Sequence, residues 1–160
     1  MRGPLHFWVV IVLLILLHFL LHVGLGIGTR APDLLTIALL LSARELRMGS
    51  AAGLGLFLGL LEDAFSILAF GANAVAMTVV AILGSRTRDL FVGDSFLFLV
   101  CYLALGKWTR DLVHWIAAGD GVQAAFVEAL LVRSPVAALY AVALGIVAVL
   151  FGGILREAPR

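Results

Sequence analysis

Polar residues come in short, widely spaced groups that cut this chain into apolar runs of about the length of a membrane crossing. The most informative run, GSAAGLGLFLGLLEDAFSILAFGANAVAMTVVAILG at 49–84, exceeds the roughly 20 residues of one crossing. It reads as two spanning helices, 49–70 and 72–85, joined by a tight turn near Gly71, Ala72 and Asn73. Four further runs predict helices over 5–27, 32–46, 94–114 and 135–155. The pattern therefore predicts an all-α integral membrane protein, six transmembrane helices in a single polytopic domain spanning 1–160.

The breaks carry their own signals. In TRAPD, Pro32 suits the first position of a helix and Asp33 complements the positive helix start. The second helix has an apolar core too short to cross alone and borrows its ends, with Arg44 and Arg47 snorkelling to the interface; ARELRMGS then forms a polar turn. Asp94 is a candidate cap for the fifth helix. Beyond Leu105, Lys107, Arg110, Asp111 and His114 alternate with apolar residues, predicting an amphipathic continuation past the membrane with Trp108 and Trp115 at the interface. Residues 122–132 read as a segment lying on the membrane surface, and Ser134 with Pro135 as the start of the last span.

Composition sharpens this picture. With 160 residues and 63% hydrophobic content, the chain has no room for a membrane unit plus a sizeable soluble domain. The first run is longer than a signal-peptide core of about 7–15 residues and lacks a clear cleavage site, so it is retained as a span. The lone Cys101 excludes an internal disulfide framework and is expected to be a small buried hydrophobe. The net charge of +1 says little, but its distribution orients the chain. A cytoplasmic amino terminus places Arg2, Arg44, Arg47, Arg86, Arg88, Arg156 and Arg160 inside, against Arg30, Lys107, Arg110 and Arg133 outside. Both termini are then cytoplasmic, in a multi-pass inner-membrane protein.

Candidate chemistry centres on Glu62 and Asp63, since ionisable groups within a span are costly and point to protein, water or headgroups. Adjacent residues lie about 100° apart on a helix, so the two are not expected to act on one site. Either one faces the bundle while the other reaches the outer interface, or both end the helix at headgroup level. Ala51, Gly55 and Gly59 form a small-residue stripe that permits close approach of another helix, in the same molecule or in a second copy. His18 and His22 share a face, but no third ligand can be named, so no metal is expected. There is no Walker loop, nucleophile elbow or histidine–cysteine pairing; neither an enzymatic activity, a cofactor nor a nucleic-acid partner is expected.

The segment APDLLTIALLLSARELRMGSAAGLGLFLGLLEDAFSILAFGANAVAMTVVAILGSRTRD resembles the core of the bacterial rod shape-determining protein MreD family. The shared order is a proline–aspartate opening a leucine-rich helix (Pro32, Asp33), a basic turn (Arg44, Arg47), a glycine-rich helix ending in an acid (Gly53, Gly55, Gly59, Asp63), a glycine turn (Gly71), and a helix closing in arginines (Arg86, Arg88). Asn73 stands where family members often carry histidine, and Glu62 is an additional acid. The resemblance implies a non-enzymatic scaffold of the cell-wall elongation machinery. It would bind an MreC-like single-span protein and work beside RodA, a class B penicillin-binding protein and the MreB cytoskeleton. It also implies a fold like the substrate-binding subunit of energy-coupling-factor vitamin transporters.

That likeness supplies the alternative, a solute-binding subunit with a pocket lined by His18, Asp63 and Asn73. Under the scaffold expectation, Ala51, Gly55, Gly59, Asp63, Gly71 and Asn73 are the candidate partner or bundle contacts. Membrane lipid is a further expected partner, with Arg110, His114 and Trp108 as a headgroup site or a plain interfacial anchor.

Overall fold

A computed structural model describes residues 4–24, 33–65, 69–87, 96–119 and 126–152, and all of the regular structure within them is helical. The helices are α1 (Pro4–Phe19), α2 (Leu34–Glu45), α3 (Met48–Asp63), α4 (Ala72–Arg86), α5 (Phe96–Ala117) and α6 (Ser134–Gly152). α1 ends in a wider π-helical turn, Leu20–Gly24, and a second π-helical stretch, Val127–Arg133, runs without a break into α6. Pro135 has no N–H to return to the preceding turn, which accounts for the loosened helix just before it. Two stretches, Leu5–His22 and Leu130–Leu150, are long and apolar enough to cross a membrane.

α2 is the hub. Every residue from Leu34 to Ala43 is buried, and the helix packs on α1, α3, α4, α5 and α6. A helix apolar on all sides must be covered on all sides, and LLTIALLLSA meets that condition. One side joins Leu34, Ile37 and Leu41 to Ile11, Leu99, Leu103 and Val149; the other joins Leu35 and Leu39 to Ala51, Leu58, Met77 and Ala81. The outer faces remain apolar, with Leu5, Phe57, Phe70, Leu97 and Leu139 all exposed.

α3 and α4 form the tightest hairpin. A Cβ added at Gly55 would lie 2.6 Å from the Met77 carbonyl oxygen, and one at Gly59 2.5 Å from the Ala74 Cα. Ala51 is fully buried in the same row. The stripe of Ala51, Gly55 and Gly59 is thus occupied within the molecule.

Several boundaries differ from the sequence expectation. α3 stops at Asp63 rather than running to 70, because the Asp63 side chain turns toward the next helix. α2 and α3 are separated by Leu46 and Arg47 alone, a shorter turn than ARELRMGS suggested. Ser134 does not start a separate helix; the described chain is helical from Phe126 onward, so Val127–Arg133 is a lead-in to α6 rather than an isolated surface segment. Cys101 is exposed, not buried, because it lines a lateral gap between α4 and α5. Pro32, Arg30, Arg88 and Asp94 lie outside the described residues.

A candidate functional site built from buried ion pairs

Five helix ends meet at one end of the bundle: the starts of α2, α4 and α6, the end of α3 and the second half of α5. Each contributes polar side chains, and the local geometry follows from the helix termini.

Asp63 lies at the last residue of α3 and is fully buried. Its Oδ2 accepts hydrogen bonds from the backbone N–H of Gly71 and Ala74, each at 2.9 Å, and its Oδ1 accepts from Asn73 N–H at 3.2 Å. The first N–H groups of a helix have no partner in their own helix, and a carboxylate there also meets the positive end of the helix dipole. Asp63 therefore caps α4 from the preceding helix. Gly71 permits it: this residue has φ +94°, a conformation that favours glycine, and it swings the chain so that three amides point back at one carboxylate.

Asp33 does the same for α2, accepting from Thr36 N–H at 3.0 Å and from the Thr36 hydroxyl at 2.7 Å. Its Oδ2 also lies 3.3 Å from Lys107 Nζ and 3.7 Å from Arg110 Nη1. Arg110 Nη2 donates to Glu62 Oε1 and to Asn73 Oδ1, both at 2.7 Å. Lys107 also pairs with Asp111, whose other oxygen accepts from the Ser134 hydroxyl at 2.7 Å. The Lys107 residue is only 5% exposed.

Burying charge is costly unless each group is matched. Here the matching is distributed. The α4 amides compensate Asp63; the Thr36 amide and hydroxyl and two cations compensate Asp33; Lys107 and Ser134 serve Asp111; Arg110 serves Glu62. Glu62 Oε2 and Arg110 Nε remain buried with no hydrogen-bond partner. Chemically the set is a clamp joining α2, α3, α4, α5 and α6. Among the described residues, no group of three or more histidine, cysteine or acidic side chains is placed to hold a metal ion.

The candidate residues fall as follows. Asp63, Gly71 and Asn73 come together in the α3–α4 turn, while Ala51, Gly55 and Gly59 line the α3–α4 seam, with Gly59 against Asn73 and Ala74. Glu62 and Asp63 do diverge, one to Arg110 and the other to the α4 amides, but both stay inside the bundle; neither reaches out to an interface. His18 is buried and its ring stacks on His22 at a centroid separation of 4.3 Å. The hydrogen bonds of Asp63 and Asn73 run to the start of α4 and to Arg110. Trp108 Nε1 donates to the Leu130 carbonyl at 3.2 Å and Arg110 points into the ion pairs, so the expected Arg110, His114 and Trp108 headgroup set does not converge on the outside.

The sequence reading missed the inward direction of Lys107, Arg110 and Asp111. A signal was present: with His114 they stand at positions i, i+3, i+4 and i+7, one helical face. Spacing gives the face but not what covers it, and the covering acids stand 74 and 48 positions before Lys107 and Arg110 respectively, at Asp33 and Glu62.

The chain was also compared with protein families, characterised proteins and solved structures, and none matched.

Proposed function

We propose that this protein is a non-enzymatic, six-span membrane scaffold of the kind the MreD resemblance implies, holding an MreC-like single-span partner within the cell-wall elongation machinery. The observation that carries the reading is the mutual pairing of its buried polar groups. Asp33, Glu62, Asp63, Lys107, Arg110 and Asp111 are directed at one another and at helix ends, which makes a rigid bundle whose outer surface is left for lipid and other helices.

The membrane reading draws support from the two long apolar helices and from the apolar exterior of the shorter ones. α2, with 12 residues, is about 18 Å long and α5, with 22, about 33 Å, against a hydrocarbon core of about 30 Å. The start of α2 then lies below the surface, where Asp33 needs the cations it has. Six spans with a cytoplasmic amino terminus put this paired end outside, with RodA and a class B penicillin-binding protein expected in the same assembly.

The solute-binding alternative needs an enclosed cavity with converging polar groups, of about 300 Å³ or more. The cavity between α4 and α5 measures about 220 Å³, is open along one side and is lined almost wholly by apolar residues. This cavity lends the transporter reading less support than the paired polar groups lend the scaffold.

The test is a mild-detergent pull-down of the tagged full-length protein from its native membrane, with mass spectrometry of what is recovered. An MreC-like single-span protein is the expected result. An ATPase pair with a coupling subunit in its place would overturn the scaffold reading in favour of the transporter.

A further inference from the structure

The half-open cavity between α4 and α5 belongs to neither the ion pairs nor the α3–α4 seam. Leu40, Val80, Gly84, Cys101, Leu105 and Gly106 form most of its wall. Two of its polar neighbours are already engaged, the Tyr102 hydroxyl donating to the Leu40 carbonyl at 2.7 Å and the Thr87 hydroxyl to the Gly84 carbonyl at 2.9 Å, and Thr109 stands at the far end of the α5 wall. What the groove offers an occupant is therefore an alkyl surface. A polar solute would lose hydration there without replacement bonds, whereas a hydrocarbon chain loses nothing.

Length and charge narrow the occupant. The α5 wall runs from Phe98 to Thr109, about 16 Å at 1.5 Å per residue, close to half of a hydrocarbon core of about 30 Å. One acyl chain of one leaflet has that reach. The groove begins at the end of the bundle where α2 and α4 finish, beside Thr87 and Phe98. Arg86 precedes Thr87, is exposed and places its Nε 3.5 Å from Met48 Sδ at the start of α3; Arg44 follows Ala43, whose Cβ lies against Gly84 in the wall, and its charge acts on Tyr102 there. Arg47 is exposed at the same end. Among the described residues there, Glu45 is the one carboxylate.

We propose that this groove holds one acyl chain of an anionic phospholipid, whose phosphate headgroup is attracted by Arg44 and Arg86 at the groove mouth. The proposal rests on the membrane reading above but not on any protein partner. A neutral phospholipid shares the chain but not the charge, so headgroup preference separates a built site from ordinary lipid solvation.

Native mass spectrometry of the full-length protein, released from nanodiscs of equal parts phosphatidylglycerol and phosphatidylcholine, reads this directly. The expected result is preferential retention of one phosphatidylglycerol. Arg44→Gln and Arg86→Gln should each lower that preference about fivefold, the effect of one basic residue near an anionic surface. Cys101→Trp, which places an indole in the groove, should remove the retained lipid whatever its headgroup. Equal retention of the two lipids, or undiminished retention by Cys101→Trp, would overturn the proposal.

Should that variant not fold, the unaltered protein carries its own probe, since Cys101 is the single cysteine and is exposed on the groove wall. Its maleimide labelling should be several-fold slower in phosphatidylglycerol nanodiscs than in phosphatidylcholine ones, and equal rates would refute the site. Alkaline carbonate extraction distinguishes the two levels of failure. A chain released by carbonate defeats the membrane reading itself, whereas an integral chain without lipid preference defeats only the groove.

Discussion

Replacing Asp63 by alanine should be among the most damaging single changes in this protein. The side chain receives three backbone N–H groups, and those of Asn73 and Ala74 are buried. Losing a helix cap alone costs about 0.5–2 kcal/mol. Two buried donors left without partners cost about 1–3 kcal/mol each, while the partly buried Gly71 N–H can turn to water. The cap cost and the unpaired donors describe the same lost bonds, so about 2–5 kcal/mol is expected, allowing for some relaxation of the turn at Gly71. Asp63→Asn keeps the shape and one acceptor oxygen but turns an amide toward donors, so about 1–3 kcal/mol is expected. Reversible unfolding in mixed micelles with increasing sodium dodecyl sulfate, followed by helical circular dichroism, measures both. A stability for Asp63→Ala within about 0.5 kcal/mol of the parent, the range of an inconsequential surface change, would show that the α3–α4 turn does not depend on this cap.

The glycines of α3 should divide sharply. Gly59→Ala brings a methyl to 2.5 Å from the Ala74 Cα and should cost about 1–3 kcal/mol, whereas Gly53→Ala meets nothing within 4 Å and should stabilise by up to about 1 kcal/mol; the same unfolding assay compares them. Arg110→Ala leaves Glu62 and Asn73 without their shared donor and should cost about 3–5 kcal/mol, and a double change of Arg110 and Glu62 to methionine should cost less than Arg110→Ala alone. The exposed Glu128–Arg133 pair, with side chains 55% and 70% exposed, should contribute less than about 1 kcal/mol in a double-mutant cycle.

These expectations depend on facts of two kinds. The helical class, the α3–α4 hairpin around Gly71 and the small-residue stripe were legible locally. Apolar runs bounded by TRAPD and ARELRMGS leave helices as the economical way to satisfy the backbone, and Ala51, Gly55 and Gly59 share a face because a helix repeats every 3.6 residues. That stripe needs only its own segment to be recognised.

Direction and pairing were not legible in the same way. Lys107, Arg110 and Asp111 follow the apolar first half of α5, so their local pattern reads as a helix emerging into water. They turn inward because Asp33 and Glu62 arrive from other helices. Likewise, two neighbouring acids imply two directions, but which amides meet Asp63 depends on where α3 stops and how Gly71 reverses the chain. Cys101 in FLVCYLAL looks buried by its neighbours, and only the lateral gap between α4 and α5 exposes it. Periodicity along one helix determines which residues share a face; what lies opposite that face is a property of chain segments tens of residues away, and only their packing decides it.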